Sequence, residues 1–338
     1  MKQISVREAV GTILCHDITQ IIKDVRKGVL FKKGHIIESK DIPILLENGK
    51  EHIYVWEKDE SMLHENEAAE ILYSLCENEG IERSKVQEGK IEAIALHEGC
   101  LKIDTEELEK VNMEEEIMIA TLRDNTIVRA GDKIAGMRVI PLVIDKAKML
   151  QLENRTPKRK ILKILPFKNK RVGIVTTGSE IFKGRIKDQF GPVIKDKLKE
   201  FKCEIIGQEI VDDSERDIIE AIQKFLDIGA DIVICTGGMS VDADDVTPRA
   251  IKQIASEIIT YGAPVLPGAM LLVSYLGEKV ILGLPGCVMY AKATVFDLIL
   301  PSLMTDQRIS KKDIVKMGHG GLCRNCDICH YPNCSFGK

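Results

Sequence analysis

Apolar and polar positions along the chain follow two rhythms. In the first, short apolar runs are separated by glycines and charged turns. Residues 6–9 predict a short helix, 28–34 a glycine-bounded hairpin, 39–48 a helix closed by Gly49, and 53–56 a strand ending at Trp56. Met62, Leu63, Ala69, Leu72 and Leu75 recur at helical intervals and predict an amphipathic helix over 60–78. From residue 85 the pattern becomes that of short strands, at 91–96, 101–103, 117–120 and 137–144. A charged helix and linker then covers 145–170.

The second rhythm is strand, helix, strand. Apolar β-branched runs at 172–177, 204–211, 232–236 and 279–284 alternate with helices at 191–201, 213–228, from 246, and 288–303. This alternation predicts an α/β fold, a mostly parallel sheet with helices on both faces, preceded by smaller mixed and β-rich regions. The expected division is 1–80, a small α+β region; 81–150, β-rich; 151–170, a linker helix; 171–305, the α/β domain; and 306–338, a tether and tail. Ligands of such sheets sit where the strands end. Those ends are Thr177-Gly178-Ser179-Glu180, Val211-Asp212-Asp213, Thr236-Gly237-Gly238 and Pro285-Gly286.

Composition narrows the partners. Hydrophobic residues make up 44% and charged residues 30% of the chain, and the net charge is −4. That balance favours neither nucleic acid nor an anionic membrane surface. The basic run Lys158-Arg159-Lys160 reads as a solvated linker. No apolar run approaches the ~20 residues a bilayer crossing needs, and the opening segment lacks an apolar core. A cytoplasmic location is expected, with the ten cysteines reduced or bound to metal.

The chemistry concentrates at 232–248. Strand, Thr236-Gly237-Gly238, an acidic loop with Met239 and Ser240, and a helix opening near Asp245 with Pro248 in its first turn present backbone N–H groups to an anion. The four strand ends together resemble the molybdopterin-binding domain shared by the MoeA and MogA proteins of molybdenum cofactor synthesis and by the amino-terminal domain of CinA. Thr177-Gly178-Ser179-Glu180-Ile181 resembles the T-G-x-E-[IL] element, and Gly184-Arg185-Ile186-Lys187-Asp188 its G-x-I-x-D continuation. Thr236-Gly237-Gly238 through Asp245-Val246-Thr247-Pro248 resembles T-G-G…D-[VY]-T-[PK], and Leu284-Pro285-Gly286 the L-P-G turn. The segment before 165 is similar in layout to the extra domains of MoeA.

The resemblance implies a molybdopterin ligand, free or adenylylated, and molybdate as a substrate. The ligand would be bound by Thr177, Gly178, Ser179, Thr236, Gly237, Gly238, Met239, Ser240, Pro285 and Gly286, with backbone N–H groups around Gly237, Gly238 and Met239 on its phosphate. It also implies Mg²⁺ on Glu180, Asp188 and Asp245, a metal suited to carboxylate and phosphate oxygens, and a homodimer with a molybdoenzyme downstream. The bland alternatives make Asp245 and Asp213 helix caps, Asp188 a turn cap, and Asp242 and Asp244 solvated charges. Cys287 and Ala269 stand where MoeA proteins carry asparagine and lysine, and Ser179 where they carry aspartate. Molybdate insertion, a non-catalytic carrier, sensor or maturation factor, and CinA-like nucleotide pyrophosphate hydrolysis all fit these residues.

After a polar stretch from 305 to Gly321, expected to be a flexible tether, comes C-x₂-C-x₂-C-x₄-C: Cys323, Cys326, Cys329 and Cys334. Thiolates so spaced can wrap one soft centre, Zn²⁺ or an iron–sulfur cluster, and His330 could replace one of them.

Overall fold

The computed structural model describes residues 2–22, 26–55, 59–155, 160–240, 242 and 245–337. Trp56, Lys158, Arg159 and Asp244 lie outside the described residues. The chain forms two compact units, the first drawn mainly from residues up to Ile164 and the second mainly from Leu165 onward.

In the first unit, strands Lys2–Ser5 and His52–Val55 pair antiparallel, and Ile18–Ile22 pairs with Arg26–Phe31 in a hairpin. With the one-turn helix Val6–Glu8 and helix Asp41–Glu47, they enclose a core of Val6, Leu14, Ile18, Ile37, Leu45 and Ile53. A separate antiparallel sheet runs in the order Ile81–Arg83, Lys90–Ala95, Lys133–Val139, Ile117–Thr121. Three expectations change here. The helix expected from residue 60 begins only at Glu65, because Met62–His64 is a strand paired with Val143–Asp145. His64 and Glu67 close that helix start as a capping box. The β-rich stretch also holds a helix, Thr105–Asn112, capped where the Asp104 carboxylate accepts from Glu107 N–H at 3.0 Å. Of the expected linker helix the described residues show Lys146–Arg155, and Leu162–Leu165 is a strand.

The second unit carries the strand–helix alternation. Its elements are β1 (Lys170–Thr177), α1 (Ser179–Phe182), α2 (Phe190–Leu198), β2 (Cys203–Val211), α3 (Glu215–Asp227), β3 (Ile232–Thr236), α4 (Thr247–Ile254), β4 (Glu257–Tyr261), β5 (Leu272–Leu276), β6 (Lys279–Leu284), α5 (Val295–Leu303) and α6 (Lys311–Lys316). One six-stranded sheet runs β2-β1-β3-β6-β5-β4. The pairs β2–β1, β1–β3 and β3–β6 are parallel, while β6–β5 and β5–β4 are antiparallel, so the sheet is mixed.

Strand residues alternate between two cores, as a period of two requires. Ile174, Ile234 and Leu282 face α2 and α5 through Ile194, Leu198, Phe296 and Ile299. Val175, Val233 and Ile281 face α3 and α4 through Ile218, Ile222, Phe225 and Ile251. In α3 the buried Ile218, Ala221, Ile222 and Phe225 make one helical stripe. Phe225 needs bare backbone beneath it: a Cβ on Gly173 would overlap its ring, and Gly207 is Gly173's partner across β1–β2. That pair explains two glycines inside strands.

Two further corrections concern the carboxyl-terminal part. Residues 286–289 form only a 3-10 turn, and α5 starts at Val295, where Thr294 and Asp297 close a capping box. The stretch after 305 is no tether, for it contains α6, capped by Ser310 and Asp313.

Candidate functional site

Parallel register gathers the strand ends. Thr176 lies opposite Thr236, Thr236 opposite Leu284, and Thr177 opposite Val211. The turns after β1, β3 and β6 therefore open on one edge of the sheet. After β3 the chain turns through Gly237 (φ 86°) and Gly238 (φ 53°), a left-handed pair that favours glycine. A Cβ on Gly237 would overlap the Thr177 carbonyl oxygen, and one on Gly238 would lie 2.8 Å from Thr247 Oγ1. Beneath the turn the buried Thr177 and Thr247 hydroxyls meet at 3.3 Å. Met239 is buried, while Gly237 and Gly238 are half-exposed and Ser240 is exposed. The result is bare backbone over a threonine floor, open to a ligand on its outer side. Pro285 is buried and Gly286 exposed at the neighbouring turn.

The acidic groups are placed less simply. Asp188 is half-buried and already engaged. Its Oδ1 accepts from Phe190 N–H at 2.8 Å, and its Oδ2 accepts from Gly191 N–H at 3.0 Å and from Gln208 Nε2 at 2.6 Å. Gln208 also donates to Thr176 Oγ1 at 3.0 Å and accepts from Lys195 Nζ at 2.9 Å, and Thr236 Oγ1 reaches Thr176 Oγ1 at 3.4 Å. A polar network thus runs from Asp188 through Gln208 and Thr176 to Thr236.

Asp245 Oδ2 accepts from Ser240 N–H at 2.7 Å, bracing the acidic loop, while α4 begins at Thr247 without a side-chain cap. Tyr261 holds the same loop from below, donating its hydroxyl to the Met239 carbonyl at 3.1 Å. Burial, then the nearby Asp245 charge, raises the Tyr261 phenol above its usual range. Asp213 Oδ2 accepts from Ser179 N–H at 2.8 Å, and Ser179 Oγ bonds Asp212. That hydroxyl is the main reason the Asp212 carboxyl is held below the usual carboxylate range. Ser214, not Asp213, caps α3. Glu180 is exposed on α1.

Among the described residues, no three Cys, His, Asp or Glu side chains come together as a metal-ligand set. Glu180, Asp188 and Asp245, expected around Mg²⁺, are thus not gathered as one ligand set among the described residues, and Asp188 and Asp245 give oxygens to backbone and amide donors. Nor are Cys323, Cys326, Cys329 and Cys334 drawn together as ligands here. Gln208 and Tyr261 escape a reading of the sequence alone. A lone glutamine in an apolar strand is the available signal for the first, and nothing local marks the second.

Comparison with known proteins follows the same boundary. Residues 173–305 match a family model described as "Probable molybdopterin binding domain". Residues 3–57 match another, described as "Domain of unknown function (DUF8806)". A CinA-like protein of Mycobacterium avium (strain 104) is 34% identical over 95 residues, covering 28% of this chain and 22% of that protein. A CinA-like protein of Mycobacterium leprae (strain TN) is 33% identical over 86 residues, covering 25% and 20%. The chain thus spans about a fifth of the length of these curated relatives. Among solved structures, the molybdopterin biosynthesis enzyme MoaB from Thermus thermophilus aligns at 23% identity and TM-score 0.37, over 42% of this chain and 98% of that one. The tungsten cofactor synthesizing protein MoaB from Pyrococcus furiosus aligns at 24% and 0.31, over 36% and 84%. Residues 173–305 of the chain are thus similar to a probable molybdopterin-binding domain.

Proposed function

We propose that the sheet edge of the second unit binds molybdopterin or its adenylate, and that the protein serves molybdenum cofactor biosynthesis. The observation carrying this reading is the Gly237-Gly238 turn. Its left-handed backbone lies tight on Thr177 and Thr247, beside the ends of β1 and β6. Exposed N–H groups of such a turn suit a phosphate, whose charge is spread over oxygens that accept several short bonds. Thr177, Gly178, Ser179, Thr236, Met239, Ser240, Pro285 and Gly286 frame it.

Binding comes before catalysis in this reading. Asp188 and Asp245 brace the protein's own backbone, which favours a carrier or maturation factor over metal-assisted molybdate insertion. A homodimer and a downstream molybdoenzyme enter by family resemblance alone. The test is anaerobic co-expression with a molybdopterin pathway, followed by fluorescence assay of pterin released from the purified protein, with Asp245→Asn alongside. A carrier retains stoichiometric pterin in both forms and turns over nothing. An insertion enzyme loses turnover in Asp245→Asn while keeping ligand. Absence of pterin from the wild-type protein, with cleavage of nucleotide pyrophosphates, would replace this reading with hydrolysis.

A further inference from the structure

The cysteine tail is pinned to the second unit. Leu266 N–H donates to the Gly321 carbonyl at 2.8 Å, and Cys323 N–H returns to the Leu266 carbonyl at 2.8 Å. At the far end, Gly337 N–H closes on the Gly320 carbonyl at 2.9 Å. Between these points the Tyr331 hydroxyl donates to the Asp297 carbonyl of α5 at 3.2 Å, and Phe336 is buried edge-on to Tyr331. Residues 320–337 are therefore a loop with its ends bonded together and its aromatic side chains anchored on the core.

Four thiols ride on that loop. Cys323 and Cys334 are half-buried and pack on the core at its base, whereas Cys326 and Cys329 are exposed on the arm between them. The first C-x₂-C already turns back on itself. Asn325 takes a left-handed conformation (φ 51°) and aims its N–H at the Cys323 sulfur, 3.5 Å away. Outer contacts of this kind orient the sulfurs of metal-bound cysteines. Neither a free linker nor a purely structural strap needs that contact.

We propose that this loop is a metal-binding module. It takes one soft, thiophilic centre, Zn²⁺ or an iron–sulfur cluster, on Cys323, Cys326, Cys329 and Cys334. On binding, each thiol releases its proton and the sulfur lone pair forms the metal bond; a cluster additionally requires iron and inorganic sulfide. The base of the loop is set by its hydrogen bonds, and binding draws the exposed Cys326 and Cys329, which stand apart in the metal-free loop, onto the half-buried pair. The other cysteines compete poorly. Cys15, Cys76, Cys100 and Cys235 are buried, and burial pushes the Cys76 thiol up to about 12.

The full chain, reduced and stripped of metal under anaerobic conditions, is titrated with Co²⁺ and followed by absorption. The expected result is sulfur-to-cobalt charge transfer that saturates at one Co²⁺ per chain and is displaced by Zn²⁺. In a parallel arm, ferric iron and sulfide with excess dithiothreitol, which reduces part of the iron, produce a visible chromophore if the native centre is a cluster and none if it is zinc. Cys326→Ser and Cys329→Ser change exposed side chains, so the fold, checked by circular dichroism, should stand while the charge-transfer band weakens. Charge transfer that is absent, substoichiometric, or unchanged in the Cys326→Ser/Cys329→Ser double variant overturns the proposal.

Discussion

At the scale of single residues, His64 shows how burial sets a titration. It is 3% exposed, its Nε2 lies 2.9 Å from the Cys15 carbonyl, and its Nδ1 accepts from Asn66 N–H at 3.2 Å. With Nδ1 accepting and Nε2 donating, the ring is neutral, and burial holds its pKa below the usual histidine value; His16 is lowered for the same reason. In the window between the lowered folded values and the unfolded value near ~6.5, the unfolded chain binds more protons. Stability from these groups is therefore full above that value and falls as pH drops through the folded values. Denaturant midpoints between pH 8 and pH 5 should decline for the first unit, and a flat profile would show that neither ring is held neutral. Gly173 gives a second residue-scale test. Gly173→Ala drives a methyl into Phe225 and should destabilise the second unit by about 1–3 kcal/mol, read from urea unfolding.

At the scale of elements, helix starts decide where the sequence is legible. Helix α3 begins after a serine that caps it and carries one apolar stripe, so its position follows from the pattern alone. For α5 the apolar pattern points to a start at residue 288, because apolar residues continue back to the L-P-G turn. The real start is set by Thr294 and Asp297, whose capping box outweighs that apolar run. Asp297 also pairs with Lys197 at 2.6 Å, each side chain only 13% exposed. Asp297→Ala leaves that ammonium half-desolvated and removes the cap, so a loss of about 3 kcal/mol is expected in chemical denaturation. A loss below ~0.5 kcal/mol would mean that the pair is screened by water as surface pairs are. The antiparallel strands β4 and β5 break the strand–helix rhythm, and short apolar runs do not announce their direction.

At the scale of the whole molecule, local signals carry the second unit better than the first. Glycine turns after apolar strands mark the sheet edge directly, since only a few residue types can turn there. The network joining Asp188, Gln208, Thr176 and Thr236 spans the α2 start and three strands, and its members come together only through sheet register. The tail misleads for a similar reason. Its glycines and charges look like a linker, while the bonds that pin it reach back to Leu266 and Asp297, far away in sequence.

The central claim, phosphate recognition by the Gly237-Gly238 turn, is tested most directly by fluorescence titration of molybdopterin into the wild-type protein and Gly238→Ala. The added methyl meets Thr247 Oγ1 at 2.8 Å and strains a left-handed backbone, so the turn is displaced while the sheet's buried cores are untouched. Saturable binding by the wild-type protein, weakened at least tenfold in a variant with an unchanged far-ultraviolet spectrum, is the expected result. Equal affinity in the two proteins would place the ligand elsewhere and contradict this assignment of the site.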